Sequence, residues 1–383
     1  MVEIVVSVPD PHSWDSVFLA GDSPELGRWL SIGARCQRFS DGTHRLMVPV
    51  HREGERVRFL VTRGHWRDAE VGEWGREARP REIELHRDTR IEHRVEGWGR
   101  QSIHYHVDFP SEFLPHPHTL TVYLPPGYEL EPERRYPVFY MHDGQNLFDA
   151  HTSFIGVPWG CDEIAERVIR QGEVEPLIIV GIANTPDRLL EYGPRRGTGS
   201  EDSARAYGRF LAEGVVPFIN ETYRTRFDLG STGVGGSSMG GLISLHLCEW
   251  YPNLFGRCAA LSPSLWWDRE AFAQSIHASA RWTKTCRVWL DVGANEGGSD
   301  AGRQGMLRRS RALAEQLREL GTDLRFHEDP HGSHHESSWG GRFSEVLKFL
   351  YPARPSPPAA RETPRADQDD VEDPKANADI GQN

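Results

Sequence analysis

The sequence has little cysteine, no long apolar run and no excess of positive charge, and each shortage closes off a class of protein. Its five cysteines (Cys36, Cys161, Cys248, Cys258 and Cys286) are odd in number and widely spaced, with no Cys-x-x-Cys pair. That usage leads one to expect reduced thiols in a cytoplasmic protein, not a disulfide framework or a zinc site. No segment approaches the ~20 apolar residues that span a bilayer. The start, "MVEIVVSVPDPH", has neither the basic residues nor the apolar stretch of a signal peptide. No membrane partner is therefore expected. The formal net charge is -12, which argues against nucleic acid, because a phosphate-binding surface needs clustered Lys and Arg. The pairs His104/His106 and His116/His118 have no further Cys or carboxylate at ligand spacing, so neither metal nor cofactor is expected.

What is present is enough chain, 383 residues, for one large domain and a smaller one. Twelve tryptophans are unusually many. Residues 1–97 contain short alternating segments, "EIVVSV", "SVFLAG", "HRLMVPV" and "RVRFLVTR", divided by turn signals, and this predicts a small antiparallel β-sandwich. From 101 to 352 strands alternate with helices. "YPVFYMHDG", "PLIIVGIAN" and "CRVWLDVGAN" read as strands, and "CDEIAERVIRQG" and "GRQGMLRRSRALAEQLRELG" as helices. Continuously apolar strands indicate a sheet covered on both faces, hence an α/β domain with a mostly parallel sheet. Residues 353–383 turn to Pro, Ala, Asp and Glu without aromatics and are expected to be a disordered tail.

In "TGVGGSSMGGLISLH" the residues Gly236-Ser237-Ser238-Met239-Gly240 match G-x-S-x-G. A strand that turns sharply into a helix can present Ser238 in a strained conformation, and bulk two positions to either side would clash. The amide of Met239 would then sit at a helix N-terminus, free to donate to an oxyanion. A serine nucleophile needs a base, and the base needs a carboxylate. In α/β-hydrolases these follow in the order Ser, acid, His. Downstream, "CRVWLDVG" runs into "ANEGGSD", which sets Glu296 in a loop after a strand, with Asp291 and Asp300 as competitors. "RFHEDPHGSHHESSW" sets histidines in the loop after the last strand, leaving His334 and His335 open. The second oxyanion donor falls in "MHDGQN", where Gly144 permits close approach and the amide of Gln145 is the candidate.

Together "MHDGQNLFD", "FIGVPWGCDE", "IIVGIANTPDRLLEYGP", "GGSSMGG", "LSPSLWWD", "DVGANEGG" and "GSHHESSW" resemble the esterase family of α/β-hydrolases that includes enterochelin esterases, feruloyl and acetyl-xylan esterases, S-formylglutathione hydrolase and mycolyltransferases. The resemblance covers residues 101 to 351. It implies an α/β-hydrolase fold with Ser238 as nucleophile, Glu296 as acid and His334 as base. His335 replaces the family's usual Asn, and Trp339 falls on its Trp. The implied activity is hydrolysis of a small-molecule carboxylic ester, siderophore- or carbohydrate-linked, through an acyl-enzyme. Acyl transfer is a close variant. Trp159, Arg188, Tyr192, Trp266 and Trp267 are expected to line the substrate pocket.

The segments "VFLAGDSPELGRW" and "RVRFLVTRGHWRDAEVGEWGREARPREIEL" resemble starch- and glycogen-binding sandwich modules of the CBM20/CBM48 type. That resemblance implies α-glucan stacking on exposed indoles, with Trp29 and Trp66 the candidates and Trp74 a third. It also keeps open a glycan-binding protein whose hydrolase domain is vestigial.

Overall fold

A computed structural model of the chain describes residues 1–8, 16–64, 69–71, 78–98, 103–128, 131–195 and 202–353. The predicted tail beyond residue 353 lies outside the described residues. Among the described residues the largest sheet has eight strands: β1 (Ile103–Phe109), β2 (His118–Tyr123), β3 (Val138–His142), β4 (Ile178–Ile182), β5 (Thr232–Ser237), β6 (Arg257–Leu261), β7 (Arg287–Gly293) and β8 (Asp323–Asp329). They lie in the order β1-β2-β4-β3-β5-β6-β7-β8. β2 pairs antiparallel with both β1 and β4, and every pairing from β4 to β8 is parallel.

Four helices matter for the site: α1 (Cys161–Arg170), α2 (Met239–Trp250), α3 (Asp300–Glu319) and α4 (Glu336–Leu350). All five residues of β3 are buried, as a strand covered on both faces requires. Val138 and Tyr140 join one core with Leu242 and Leu245 of α2 and Leu313 and Leu317 of α3. Phe139 and Met141 join the other with Ala165 and Val168 of α1 and Phe343 and Leu347 of α4. Each large apolar side chain so buried stabilises by about 1.5–3 kcal/mol. Helices on both faces of a mostly parallel sheet in this order make an α/β-hydrolase-like fold.

β5 reads Thr-Gly-Val-Gly-Gly-Ser, poor in β-branched residues, and packing explains it. A Cβ on Gly233 would lie 2.2 Å from the Tyr351 hydroxyl, and one on Gly235 would lie 2.7 Å from the Phe139 ring. The strand is thin because large aromatics cross it.

The N-terminal residues form two four-stranded sheets. One orders Gln37–Arg38, His44–Val48, Val2–Ser7 and Thr89–Arg94; the other Ala34–Arg35, Phe18–Gly21, Glu55–Thr62 and Arg81–Leu85. Val2, Ile4, Val6, Leu19, Val57, Phe59 and Val61 share their core. The expectation of a wholly antiparallel arrangement is corrected here: Val2–Ser7 pairs with Thr89–Arg94 in parallel. The two strands are the first and last of these two four-stranded sheets, so no hairpin joins them, and the long intervening chain leaves their relative direction free. These sheets touch the α/β part through Arg35–Asp108 at 2.9 Å and through the Ser31 hydroxyl donating to Asp149 at 3.4 Å. All five cysteines are buried free thiols, and burial pushes Cys36 up to about 12. No helix among the described residues is long and apolar enough to cross a membrane.

Candidate active site

β5 ends at Ser237, and α2 begins at Met239. The single residue between them, Ser238, has φ 56° and ψ -118°. A non-glycine residue there costs of order 1–3 kcal/mol and persists only where its surroundings hold it. The surroundings here are close: Ser238 N–H donates to the Leu261 carbonyl at 2.9 Å, and Ser264 N–H donates to the Ser238 carbonyl at 3.0 Å. A Cβ on Gly236 would sit 3.1 Å from both Gly240 and His142, and one on Gly240 would sit 3.1 Å from His142. The two glycines are needed for room, and the conformational strain falls on the serine.

The Ser238 hydroxyl lies 2.9 Å from Nε2 of His334, whose Nδ1 lies 3.0 Å from Oε2 of Glu296. The neighbouring His335 points elsewhere: it caps α4, accepting from the Ser337 N–H at 3.3 Å. Glu296 is fully buried, and its other oxygen, Oε1, accepts from the Gly293 N–H at 2.7 Å and the Ser262 hydroxyl at 2.5 Å. Of the competing acids, Asp300 opens α3 with its side chain 86% exposed. Asp291 is buried in β7, where it accepts from Arg342 at 3.1 Å and from the Trp289 indole at 2.8 Å. Burial drives the Asp291 carboxyl above its usual value, and the Arg342 charge opposes that rise.

Behind Glu296 lies a group of side chains that the sequence motifs do not reveal. Arg342, on α4, contacts Asp291, Asp329 at 3.2 Å and the Ser262 hydroxyl at 3.0 Å. Trp339 donates its indole N–H to the same hydroxyl at 3.1 Å and packs edge-on against the His334 ring at 4.9 Å. Ser264 sets its hydroxyl 3.2 Å from that of Ser238. The sequence signals are "LSPSLWWD", a Ser-Pro-Ser turn directly after an apolar strand, and Trp339 in "GSHHESSW".

On the other side of Ser238 runs the turn after β3. Asp143 has φ 56° and leads into a single 3-10 turn, Gly144–Asn146. A Cβ on Gly144 would lie 2.4 Å from Gly181, so this turn lies directly on β4. Arg188 clamps Asp143 through two bonds of 2.6 and 2.7 Å, and Asn184 adds a third of 2.6 Å. Burial would lower the Arg188 pKa, but the Asp143 carboxylate holds it above the ordinary value. His142, fully enclosed beneath the turn, is pushed down to about 3 by burial. Neither the Gln145 nor the Met239 N–H has an acceptor among the described residues.

The expected pocket residues divide. Trp159 is 6% exposed and packs on Trp339 at 5.9 Å, and Tyr192 is fully buried, its hydroxyl accepting from the Asp143 N–H at 3.3 Å. Both face inward against the loops, where large aromatics fill the space between sheet and cover. Arg188 is engaged with Asp143. Trp266 is 50% exposed. Trp267 borders a cavity of about 680 Å³ whose wall includes Leu242 and His246, one and two turns along the helix that follows Ser238. Trp29 is half-buried, with φ 63° and its N–H donating to the Gly21 carbonyl at 2.6 Å. Trp66 and Trp74 lie outside the described residues. Among the described residues no group of three or more His, Cys, Asp or Glu side chains could hold a metal ion.

Residues 111–350 match the model of the family described as "Putative esterase". The chain belongs to this esterase family. It is accordingly a carboxylic ester hydrolase. The chain is 28% identical over 242 residues to the uncharacterized protein YbbA of Bacillus subtilis, a match covering 60% of this chain and 91% of YbbA. It is 34% identical over 86 residues to the siderophore enterobactin esterase of Emericella nidulans, covering 21% of this chain and 28% of that one. Among solved structures, the enterobactin esterase FES of Shigella flexneri, crystallised in the presence of 2,3-di-hydroxy-N-benzoyl-glycine, superposes with a TM-score of 0.52 at 14% identity, over 88% of each chain. That share exceeds the α/β part of this protein and so takes in N-terminal residues as well. At this identity the likeness is one of fold.

Proposed function

We propose that this esterase works by a covalent acyl-enzyme in which Ser238 attacks the ester carbonyl. His334 takes the serine proton as the new C–O bond forms, and Glu296 holds the imidazole in one tautomer and stabilises its positive charge. The N–H groups of Met239 and Gln145 donate to the oxyanion of the tetrahedral intermediate. Collapse expels the alcohol, which takes the proton from His334. Water then attacks the acyl-enzyme with the same histidine as base. The observation that carries this reading is the unbroken chain of 2.9 and 3.0 Å contacts from the Ser238 hydroxyl through His334 to Glu296.

The substrate class we favour is a siderophore ester with an aromatic acyl group. Support comes from the shared extent of fold with an enterobactin esterase, N-terminal residues included. Further support comes from apolar side chains left exposed on segments tied to the site. Phe154, 87% exposed, donates its N–H to Asn146 of the oxyanion turn, and Leu189 adjoins Arg188. In this reading residues 1–97 are an accessory module beside the 101–352 esterase domain, and the Ser31–Asp149 contact sets it next to that turn. A panel of p-nitrophenyl, feruloyl and dihydroxybenzoyl-serine esters tests the proposal on wild type and Ser238→Ala. The wild type is expected to prefer the dihydroxybenzoyl ester, and the variant to lose all of them. Full turnover by Ser238→Ala contradicts the mechanism, and preference for the feruloyl ester contradicts the substrate class.

A further inference from the structure

We infer that Ser262 is a positioning residue for the Glu296 carboxylate, an inference that rests on the Ser238–His334–Glu296 reading. A serine hydroxyl has one proton and two lone pairs. The Trp339 indole and the Arg342 guanidinium can only donate, and both point at the Ser262 oxygen, at 3.1 and 3.0 Å. They occupy its acceptor sites and leave its sole proton for Oε1 of Glu296, 2.5 Å away. With the Gly293 N–H also on Oε1 at 2.7 Å, that oxygen is fully engaged, and Oε2 is the one turned to Nδ1 of His334 at 3.0 Å. The carboxylate therefore cannot rotate without breaking two hydrogen bonds at once.

The backbone supports the same role. Ser262 is a non-glycine residue at φ 43°, one position beyond β6. Its N–H donates to Asp291, to the carboxylate at 3.0 Å and the carbonyl at 3.1 Å. Asp291 is gripped in turn by the same Arg342 that donates to the Ser262 hydroxyl. Two residues on, Ser264 ties the turn to Ser238. One turn thus spans from the nucleophile to the back of the acid.

The test uses Ser262→Gly and Ser262→Ala in the full chain. Glycine tolerates this φ, so Ser262→Gly removes the hydroxyl without adding backbone strain. Both variants are expected to lower kcat about 10- to 100-fold, the range for a hydrogen bond to a charged group, with KM within twofold. In a Glu296→Gln background the Ser262→Gly change is expected to add less than a twofold loss, since both act through one carboxylate. Trp339→Phe keeps the ring against His334 but removes the indole N–H. It is expected to lower kcat several-fold, and it decides the matter should the serine variants fail to fold. Wild-type kcat in Ser262→Gly, a rise in KM in place of a fall in kcat, or full additivity with Glu296→Gln would overturn the inference. Ser238→Ala in the same assay separates the two claims. If it retains turnover, the catalytic reading itself fails. If it is inactive while Ser262→Gly behaves as wild type, only the positioning role fails.

Discussion

The two N-terminal sheets and the large α/β sheet are both built from short apolar strands, yet they use their turns differently. Among the described residues of the N-terminal sheets the non-glycine residues with positive φ are Arg28, Trp29 and Asp88, which fall in two turns far apart along the chain. In the large sheet Asp143, Ser238 and Ser262 each stand one residue past the end of β3, β5 and β6. Those three strands are consecutive neighbours and parallel. Parallel pairing brings like ends together, so three locally costly turns fall side by side. In the proposed mechanism one leads into the oxyanion turn, one presents the nucleophile and one backs the acid. Strain placed at the ends of parallel neighbours builds a site, and the same strain dispersed over separate turns does not.

The largest effects are expected at the strand-end loops. His334→Ala is expected to cut kcat/KM by about 10³-fold or more. His335→Ala should stay within about fivefold of wild type in rate and lose about 1 kcal/mol of stability with its helix cap, read by steady-state assay and thermal melting. An equal loss from both would mean that the two histidines have been assigned to the wrong tasks. Next, Glu296→Gln is expected to lower kcat by about 10²- to 10⁴-fold, while Asp300→Asn leaves it unchanged. Asp291→Asn should act on stability, by about 3 kcal/mol, because it removes the fully buried carboxylate that takes two of the Arg342 hydrogen bonds and leaves Asp329, at the rim, to balance that charge; chemical denaturation measures it.

A pH titration of stability probes the floor of the turn after β3. The folded pKa of His142 is depressed to about 3 from an ordinary 6.5. The unfolded chain therefore binds the extra proton between those values, and stability is full above 6.5 and falls as pH drops toward 3. The expected slope is about 1.4 kcal/mol per pH unit, flattened in His142→Gln. Identical pH profiles for the two proteins would remove His142 as the cause. The smallest effect on turnover is expected in the N-terminal sheets: Trp29→Ala should leave ester turnover within about twofold, because the half-buried indole makes no contact with Ser238, His334 or Glu296. Retention of the wild type, but not Trp29→Ala, on insoluble starch would supply the sugar-stacking role that the CBM20/CBM48 resemblance implies.

Much of this architecture is legible in the chain. Continuous apolar runs such as "PLIIVGI" announce strands covered on both faces, and the spacing of glycines around Ser238 announces a tight turn. The direction of Thr89–Arg94 was not legible, because alternation reports a strand's faces and not its heading. The burial of Trp159 and Tyr192 was not legible for a related reason: an aromatic in a loop after a strand can point into the cleft or under it. Ser262 and Trp339 stand in the segments that carry the family resemblance, but their meeting with Arg342 was not legible, because the three come from separate elements and meet only once α4 packs against the sheet.

A fluorophosphonate reporter followed by peptide mapping shows directly whether Ser238 forms the covalent intermediate. One adduct per chain is expected, on the peptide containing Ser238, at a rate reduced at least about 10³-fold in His334→Ala. An adduct on Ser237, Ser264 or any other residue, or no adduct at all in a protein that still hydrolyses esters, would contradict it.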